Sequence, residues 1–289
     1  MGDLLKNGVL EGSAMKRFFD HAAQGNLSLR DIAQLRVDRY NASVGDLNAD
    51  GYNCKLCNNR GYTAFVNERG GFVSDAYEPC RCLEIRRSIQ RLKNSGLETI
   101  VRDCTFERFT VTAPWQQVMV DKAKEYLAVG VGEGSWFFIG GQPGCGKTHI
   151  CTAIARQLLY EYPLRYMAWE SESKRLKAIV NEAEEYDREI TKLKAIRVLY
   201  IDDLFKPVKD DFGNLKPPTA ADVKLAFEIL NHRYINHMST IISSEWFMDE
   251  LTDFDEATAS RISERCGRFK LIINKDRSKN HRLSDTTVL

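Results

Sequence analysis

No stretch of this 289-residue chain is apolar for long enough to cross a bilayer. The first residues, Met1-Gly2-Asp3-Leu4-Leu5-Lys6, lack the charged and then apolar layout of a secretory signal. Both absences argue against a membrane-spanning or secreted protein, so we expect the cytoplasm. The 41 basic and 40 acidic residues leave a formal net charge of +1. Any contact with nucleic acid must therefore use local basic patches instead of a global field.

The chain has eight cysteines, but their spacing is not typical of a disulfide framework. Cys54-x-x-Cys57 and Cys80-x-Cys82 form two short pairs, and each pair can turn around one side of a tetrahedral Zn²⁺ ion. The segment between the pairs has too few apolar residues to fold by burial alone. We predict structural zinc; a redox Cys-x-x-Cys is the alternative, and the second pair argues against it. The other four cysteines are scattered through helical or loop contexts: Cys104, Cys145, Cys151 and Cys266.

The N-terminal third is predicted to form two small regions. Residues 1–50 have the pattern of short helices, with a helix start at Ser28, three residues before Asp31, and an apolar face that includes Ile32. Residues 51–96 hold the cysteines and a basic helix that ends at Asn94-Ser95-Gly96, a candidate hinge. Residues 97–289 form the third predicted region.

In this third region, strand-like apolar runs alternate with helix-like segments. Strands are predicted at Ser135–Ile139, Arg165–Trp169, Val198–Ile201, Thr240–Ser243 and Lys270–Ile273. Helices are predicted at Trp115–Leu127, Thr148–Tyr160, Glu172–Leu193 and Ala220–Asn236. The alternation indicates an α/β fold with a mostly parallel sheet covered on both faces.

A phosphate-binding loop stands between the first of these strands and its helix: Gly141-Gln142-Pro143-Gly144-Cys145-Gly146-Lys147-Thr148. Glycines let the backbone curl so that its N–H groups face the phosphates, and the start of the helix favours an anion. Lys147 is predicted to reach the β- and γ-phosphates of ATP, and the Thr148 hydroxyl to bind Mg²⁺.

Two carboxylates follow the strand Val198–Ile201, at the edge of the sheet where ligands bind in such folds. We predict that Asp202 holds Mg²⁺ through water and that Asp203 orients or activates the attacking water. The alternative is that the two aspartates only open a loop.

With these motifs in place, the chain resembles the bacterial and phage helicase loaders of the DnaC/DnaI type, which are AAA+ ATPases related to the transposition helper IstB. The resemblance covers nearly the whole chain. Besides the phosphate loop, these strings carry it: Tyr52-Asn53-Cys54-x-x-Cys57, Cys80-Arg81-Cys82, Ser95-Gly96-Leu97, Cys104-Thr105-Phe106, Ile201-Asp202-Asp203-Leu204, Ile241-Ile242-Ser243-Ser244-Glu245 and Ala259-Ser260-Arg261-Ile262.

The resemblance implies further roles. Arg261 resembles an arginine finger that reaches the γ-phosphate held by a neighbouring subunit, with a surface salt bridge to Asp253 or Asp255 as the alternative. Glu245 stands where such proteins usually have a polar sensor-1 residue, and Asp203 replaces a commoner glutamate, so slow, switch-like hydrolysis is expected. Arg277 and Arg282 compete for the sensor-2 role. Little chain follows Ile273, which suggests that the usual helical lid is missing.

The resemblance also implies partners: a replicative ring helicase gripped by the N-terminal part, single-stranded DNA, and further copies of the chain. The segment Tyr166–Glu170, followed by Lys174, Arg175 and Lys177, suits base stacking and backbone neutralisation. A buried strand that leads into an ordinary charged helix is the equal alternative. A second basic stretch has the same ambiguity: Arg86, Arg87, Arg91 and Lys93.

Three functions are compatible with these features. The first is an ATP-dependent helicase loader in the initiation of replication. The second is a transposition helper that wraps duplex DNA. The third is a nucleotide-gated zinc adaptor with little ATPase activity. The zinc pairs ahead of the ATPase region favour the loader.

Overall fold

The computed structural model describes residues 28–94, 103–209, 211–212 and 215–281. The helices predicted before residue 28, the hinge at Ser95-Gly96 and Arg282 lie outside these ranges. The chain divides into two compact units, Met1–Arg86 and Arg87–Leu289. The three-part division at residues 50 and 96 stays a prediction.

The first unit contains helix α1 (Leu29–Ala42), an antiparallel hairpin of β1 (Tyr62–Arg69) and β2 (Phe72–Pro79), and the start of helix α2 (Cys82–Asn94). Ser28 caps α1 through a reciprocal pair of hydrogen bonds with Asp31, so the predicted helix start is confirmed. The apolar face was predicted wrongly. Ile32 is exposed, and the smaller Ala33 and Val37 are buried instead.

Asn41 joins α1 to the hairpin. Its amide nitrogen donates to the Ala64 carbonyl and its amide oxygen accepts from the Ala64 N–H, both at 2.9 Å. The ring of Tyr40 packs edge-on against Tyr77 of β2, with centroids 4.7 Å apart. These polar and aromatic contacts hold α1 against the hairpin in a small unit that buries little apolar surface.

The second unit is built on a sheet of five strands: β3 (Phe137–Gly141), β4 (Leu164–Ala168), β5 (Val198–Asp202), β8 (Ser239–Ser243) and β9 (Lys270–Ile273). All five strands are parallel, and their order in the sheet is β4-β5-β8-β3-β9. The three central strands, β5, β8 and β3, are buried along their whole length, which requires cover on both faces. The predicted α/β class and all five predicted strands are confirmed.

One helix precedes the first of these strands and the others connect them: α3 (Pro114–Glu125), then α4 (Lys147–Leu158), α5 (Trp169–Ala178), α6 (Ala183–Ala195), α7 (Ala220–Ile235), α8 (Met248–Phe254) and α9 (Glu256–Cys266). The single helix predicted over Glu172–Leu193 is wrong, because the chain turns between α5 and α6. Arg175 of α5 then meets Glu189 of α6 at 3.1 Å, an ion pair that one straight helix would not allow.

Several short elements were not predicted from the sequence. They are β2, helices α8 and α9, and a small hairpin of β6 (Val208–Lys209) and β7 (Leu215–Lys216). In the part of the chain that the structure describes, no helix is both long and apolar enough to cross a membrane.

Candidate nucleotide site and cysteine cluster

The phosphate loop leads from β3 into α4 with glycines in left-handed conformations. Gly146 precedes α4 at a φ of 93°, and a Cβ there would lie 2.7 Å from the ring of Phe109. At Gly144 a Cβ would lie 2.0 Å from the Asn280 side-chain oxygen. Only glycine fits both positions, and the resulting curl leaves the start of α4 open to a phosphate group.

Lys147 is almost fully buried inside this loop. Its ammonium nitrogen donates to the Gly141 and Gln142 carbonyls, both at 2.8 Å. Burial lowers the pKa of Lys147, because two neutral carbonyls do not offset the loss of water around a charge. A bound phosphate would favour the charged form, so the loop is suited to an anion.

Asp202, the last residue of β5, accepts hydrogen bonds from four hydroxyl groups. Its Oδ1 atom lies 3.2 Å from Thr148 Oγ1, 2.9 Å from the Tyr200 hydroxyl and 2.5 Å from Ser243 Oγ. Its Oδ2 atom accepts from the Tyr166 hydroxyl at 3.0 Å. Burial raises the pKa of both tyrosines, with Asp202 adding to the rise, so the phenols stay neutral donors. The Thr148–Asp202 pair fits the two protein groups expected beside Mg²⁺.

The turn after β5 carries two non-glycine residues in the left-handed region, Asp203 and Phe205, both at a φ of 55°. The Asp203 N–H donates to Ser243 Oγ at 2.9 Å, and the Leu204 N–H donates to the Ser243 carbonyl at 2.8 Å. Trp246 donates its indole N–H to the Phe205 carbonyl. The turn is thus held by residues at and after the end of β8.

This turn brings Lys206 back to the carboxylates. Its ammonium nitrogen lies 2.8 Å from Asp203 Oδ2 and 2.5 Å from Glu245 Oε1. All three side chains line a cavity of about 250 Å³ that the phosphate loop also lines. Its lining residues are Cys104, Gly144, Gly146, Lys147, Thr148, His149, Asp203, Lys206 and Glu245. Lys206, His149 and Cys104 were not predicted as site residues.

Two segments that are distant in sequence pack against the loop. His149 Nε2–H donates to the Thr105 carbonyl at 2.7 Å, and the His149 ring packs edge-on against Phe109. From the other end of the chain, the backbone N–H of His281 donates to the Gly144 carbonyl at 3.1 Å. The string Cys104-Thr105-Phe106 stood out in the sequence, but nothing there indicated that Thr105 or His281 would pack at the loop and the start of α4.

Arg261 lies on α9 and contacts none of the loop residues that the structure describes. It donates to Asn231 Oδ1 at 2.9 Å and to the Ala257 carbonyl at 2.7 Å, and its guanidinium lies over the rings of Phe227 and Tyr234. The alternative salt bridge with Asp253 or Asp255 does not form. The finger role stays a prediction.

The remaining nucleotide-site candidates occupy different places. Glu245 follows β8 and pairs with Lys206, as described. Arg277 is exposed in a short 3₁₀ turn (Arg277–Lys279), and Arg282 lies outside the described residues. No described contact joins Arg277 to the loop, so the choice of a sensor-2 residue stays open.

The aromatic platform suggested for single-stranded DNA does not form. Trp169 is 3% exposed and packs against Phe205, while Tyr166 is bonded to Asp202. The nearby Lys174, Arg175 and Lys177 pair with acidic residues. The segment is instead a strand that leads into an ordinary charged helix, which was the alternative to a DNA-binding platform. In the second basic stretch, Arg86 is held by Asp50 at 2.5 Å.

The four cysteines of the two short pairs converge in the first unit. All four sulfur atoms lie within 4.8 Å of one another, and all four residues are buried. The Cys54–Cys80 and Cys57–Cys82 sulfur distances are 3.8 and 3.5 Å. A tetrahedral zinc site with Zn–S bonds of about 2.3 Å needs sulfur atoms about 3.8 Å apart. The donor set therefore fits zinc, and these distances are too long for a disulfide bond.

Polar groups around the cluster suit thiolate ligands. The Gly61 N–H donates to Cys57 Sγ at 3.3 Å, and the Cys54 N–H is held by Asn59 Oδ1 at 2.8 Å. Arg86 donates to the same Asn59 oxygen at 2.8 Å, which brings a positive charge beside a group of anionic ligands.

Comparison with known proteins places the chain in a family. The profile described as "IstB-like ATP binding protein" matches residues 131–274, which include the phosphate loop, Asp202 and Arg261. The phage-like element PBSX protein XkdC of Bacillus subtilis is 30% identical over 246 residues, which cover 81% of this chain and 88% of XkdC. The chain belongs to the family of IstB-like ATP-binding proteins.

Two further matches concern helicase loaders. Replicative helicase loader DnaC of Escherichia coli K12 is 32% identical over 97 residues, 33% of this IstB-like chain and 38% of DnaC. The crystal structure of the DnaC helicase loader aligns with 61% of this chain and 99% of its own length, at 17% identity and a TM-score of 0.49. The predicted resemblance to DnaC-type and IstB-related proteins is confirmed.

Proposed function

We propose that this protein is an ATP-dependent helicase loader that acts in the initiation of DNA replication and delivers a ring helicase onto single-stranded DNA. The main observation behind this proposal is the 3.2 Å contact between Thr148 and Asp202 beside the buried Lys147, in a chain similar to DnaC. That arrangement suits a nucleotide-driven cycle, in which ATP binding and hydrolysis change the grip on a partner.

Within this proposal, each site residue has a defined task. The loop Gly141–Thr148 and Lys147 hold the phosphates of ATP, and Thr148 and Asp202 hold Mg²⁺, which neutralises charge on the β- and γ-phosphates. Asp203 orients the attacking water. Arg261 acts on the nucleotide of a neighbouring subunit, so hydrolysis is slow until copies assemble.

The first unit has the role of a docking module. Zinc bound by Cys54, Cys57, Cys80 and Cys82 orders a segment with little apolar core, and the ordered segment contacts the helicase. The sulfur distances of 3.5–3.8 Å support this assignment of the metal.

A transposition helper that acts on duplex DNA is a second candidate, because the matching family profile is described as IstB-like. A zinc adaptor with little ATPase activity is a third, because Lys206 engages the carboxylate of Asp203 that would serve the attacking water.

Co-purification with candidate hexameric helicases, with and without a non-hydrolysable ATP analogue, tests the loader. We expect nucleotide-dependent retention by the parent chain and its loss in Lys147→Ala. Lys174→Ala is the matched control, since Lys174 lies on the exposed part of α5. Nucleotide-dependent binding to duplex DNA without any helicase would favour the transposition helper. Normal helicase binding without measurable hydrolysis would favour the adaptor.

A further inference from the structure

Lys206 has no place in the mechanism described so far, although it lines the same cavity as Lys147 and Thr148. We propose that Lys206 is a specificity-determining residue that allows the site to hold the third phosphate of ATP, and so distinguishes ATP from ADP. The proposal rests on the proposed function, because it requires that the loop bind a nucleotide.

Lys206 reaches this site through a backbone turn that is strained. Asp203 and Phe205 both adopt left-handed angles, which residues with a Cβ rarely do. Leu204 is held on both sides, since its N–H donates to Ser243 and its carbonyl accepts from Ser244 Oγ at 2.8 Å. Such a turn persists only where surrounding contacts over-determine it, and its effect is to return the Lys206 side chain to Asp203.

The charges explain what the ammonium does there. Asp203 and Glu245 are two like charges at one cavity, and Lys206 contacts both, at 2.8 and 2.5 Å. No other described cation forms an ion pair with either carboxylate. Although burial lowers the pKa of Lys206, its bonds to the two carboxylates outweigh burial and raise that pKa, so the side chain is charged at neutral pH.

An incoming nucleotide meets these charges at its γ-phosphate. In a loop of this type the backbone and Lys147 hold the β- and γ-phosphates, and the strand-end carboxylates face the γ end. Without Lys206, the additional negative charge of ATP would be repelled by Asp203 and Glu245. ADP ends one phosphate earlier and would meet less of this repulsion.

An ordinary surface ion pair does not explain this arrangement well. The Lys206, Asp203 and Glu245 side chains are only 32%, 33% and 18% exposed, whereas exposed pairs add little to stability and need no strained turn. The cavity, the strained turn and the two carboxylates instead indicate that Lys206 acts on the bound nucleotide.

The test compares dissociation constants for a non-hydrolysable ATP analogue and for ADP, both with Mg²⁺, by titration calorimetry on the full chain. In Lys206→Met we expect the analogue to bind about tenfold more weakly, with ADP changed by about twofold or less. Lys206→Arg keeps the charge and should retain the preference. Adding Glu245→Gln to Lys206→Met removes one repelling carboxylate and should recover part of the lost affinity.

Lys174→Met is the control, because it removes the same charge from a lysine that pairs with Glu170 on α5. Lys206→Gln, checked for folding by circular dichroism, repeats the test if the methionine variant is unstable. Equal weakening of both nucleotides, or of neither, would overturn the role of Lys206 and leave nucleotide binding intact. A parent chain that binds neither nucleotide would overturn both this role and the proposed function.

Discussion

The Thr148 hydroxyl lies 3.2 Å from the Asp202 carboxylate, although the two residues are 54 positions apart in the chain. Strand order explains the contact. Thr148 follows β3, Asp202 ends β5, and β8 lies between those strands with Ser243 at its end. Since all three strands are parallel, their carboxyl ends meet at one edge of the sheet, where a Mg²⁺–phosphate group can be held from two sides.

The first prediction concerns this pair. In Asp202→Asn, Mg²⁺ should no longer strengthen ATP binding, and hydrolysis should fall by about a hundredfold, because the metal loses a charged partner. Measuring ATP-analogue affinity in Mg²⁺ and in EDTA checks this. Asp187→Asn, on the exposed side of α6, should behave like the parent. An unchanged Mg²⁺ effect in Asp202→Asn would refute the assignment.

A second prediction concerns the cysteine cluster. The purified chain should contain one zinc ion, and Cys80→Ser or Cys82→Ser should lose most of it. Removing the metal should lower the melting temperature of the first unit, because little apolar burial replaces it. Metal analysis and thermal melting provide the measurements. Cys104→Ser, outside the cluster, should keep its zinc; retention in all three variants would show that these thiols do not bind it.

The third prediction tests whether Arg261 acts between subunits. Arg261→Ala should bind ATP normally but hydrolyse it at least tenfold more slowly. Mixing it with Lys147→Ala should restore part of the activity, because an intact Arg261 from one subunit can reach ATP on the other. Arg268→Ala, an exposed arginine paired with Glu125, is the control. No recovery in the mixture would argue against a role in trans.

The fourth prediction is a pH dependence of stability. Lys192, assisted by Arg175, lowers the pKa of Glu189 to about 2 against the effect of burial. A lowered folded-state pKa means that this stabilisation is complete above the unfolded pKa, about 4.3, and disappears as the pH falls toward about 2.

Glu189→Gln should therefore cost about 1 kcal/mol at pH 7, because its partners are half-exposed and screened, and progressively less between pH 4 and pH 3. Urea unfolding at these three pH values measures the difference. Glu184→Gln, exposed on the same helix, should cost little at any pH. A cost for Glu189→Gln that does not change with pH would mean that packing, not charge, is lost.

The sequence by itself determined the features that depend on neighbouring residues. The glycine spacing of Gly141–Thr148, the apolar runs of the five strands and the cap at Ser28 each follow from local geometry. The two cysteine pairs were also readable, since metal ligands occur at short, restricted spacings. These features predicted the parallel sheet and the phosphate loop that the structure contains.

Only the tertiary structure decided which distant side chains meet. Tyr166, Tyr200 and Ser243 surround Asp202 because β4, β5 and β8 are adjacent in the sheet, an order that local periodicity does not encode. The break between α5 and α6 brings Arg175 to Glu189, a pairing that the local sequence pattern does not reveal. Likewise, Lys206 resembles any other loop lysine until the left-handed turn and the end of β8 bring it against Asp203 and Glu245.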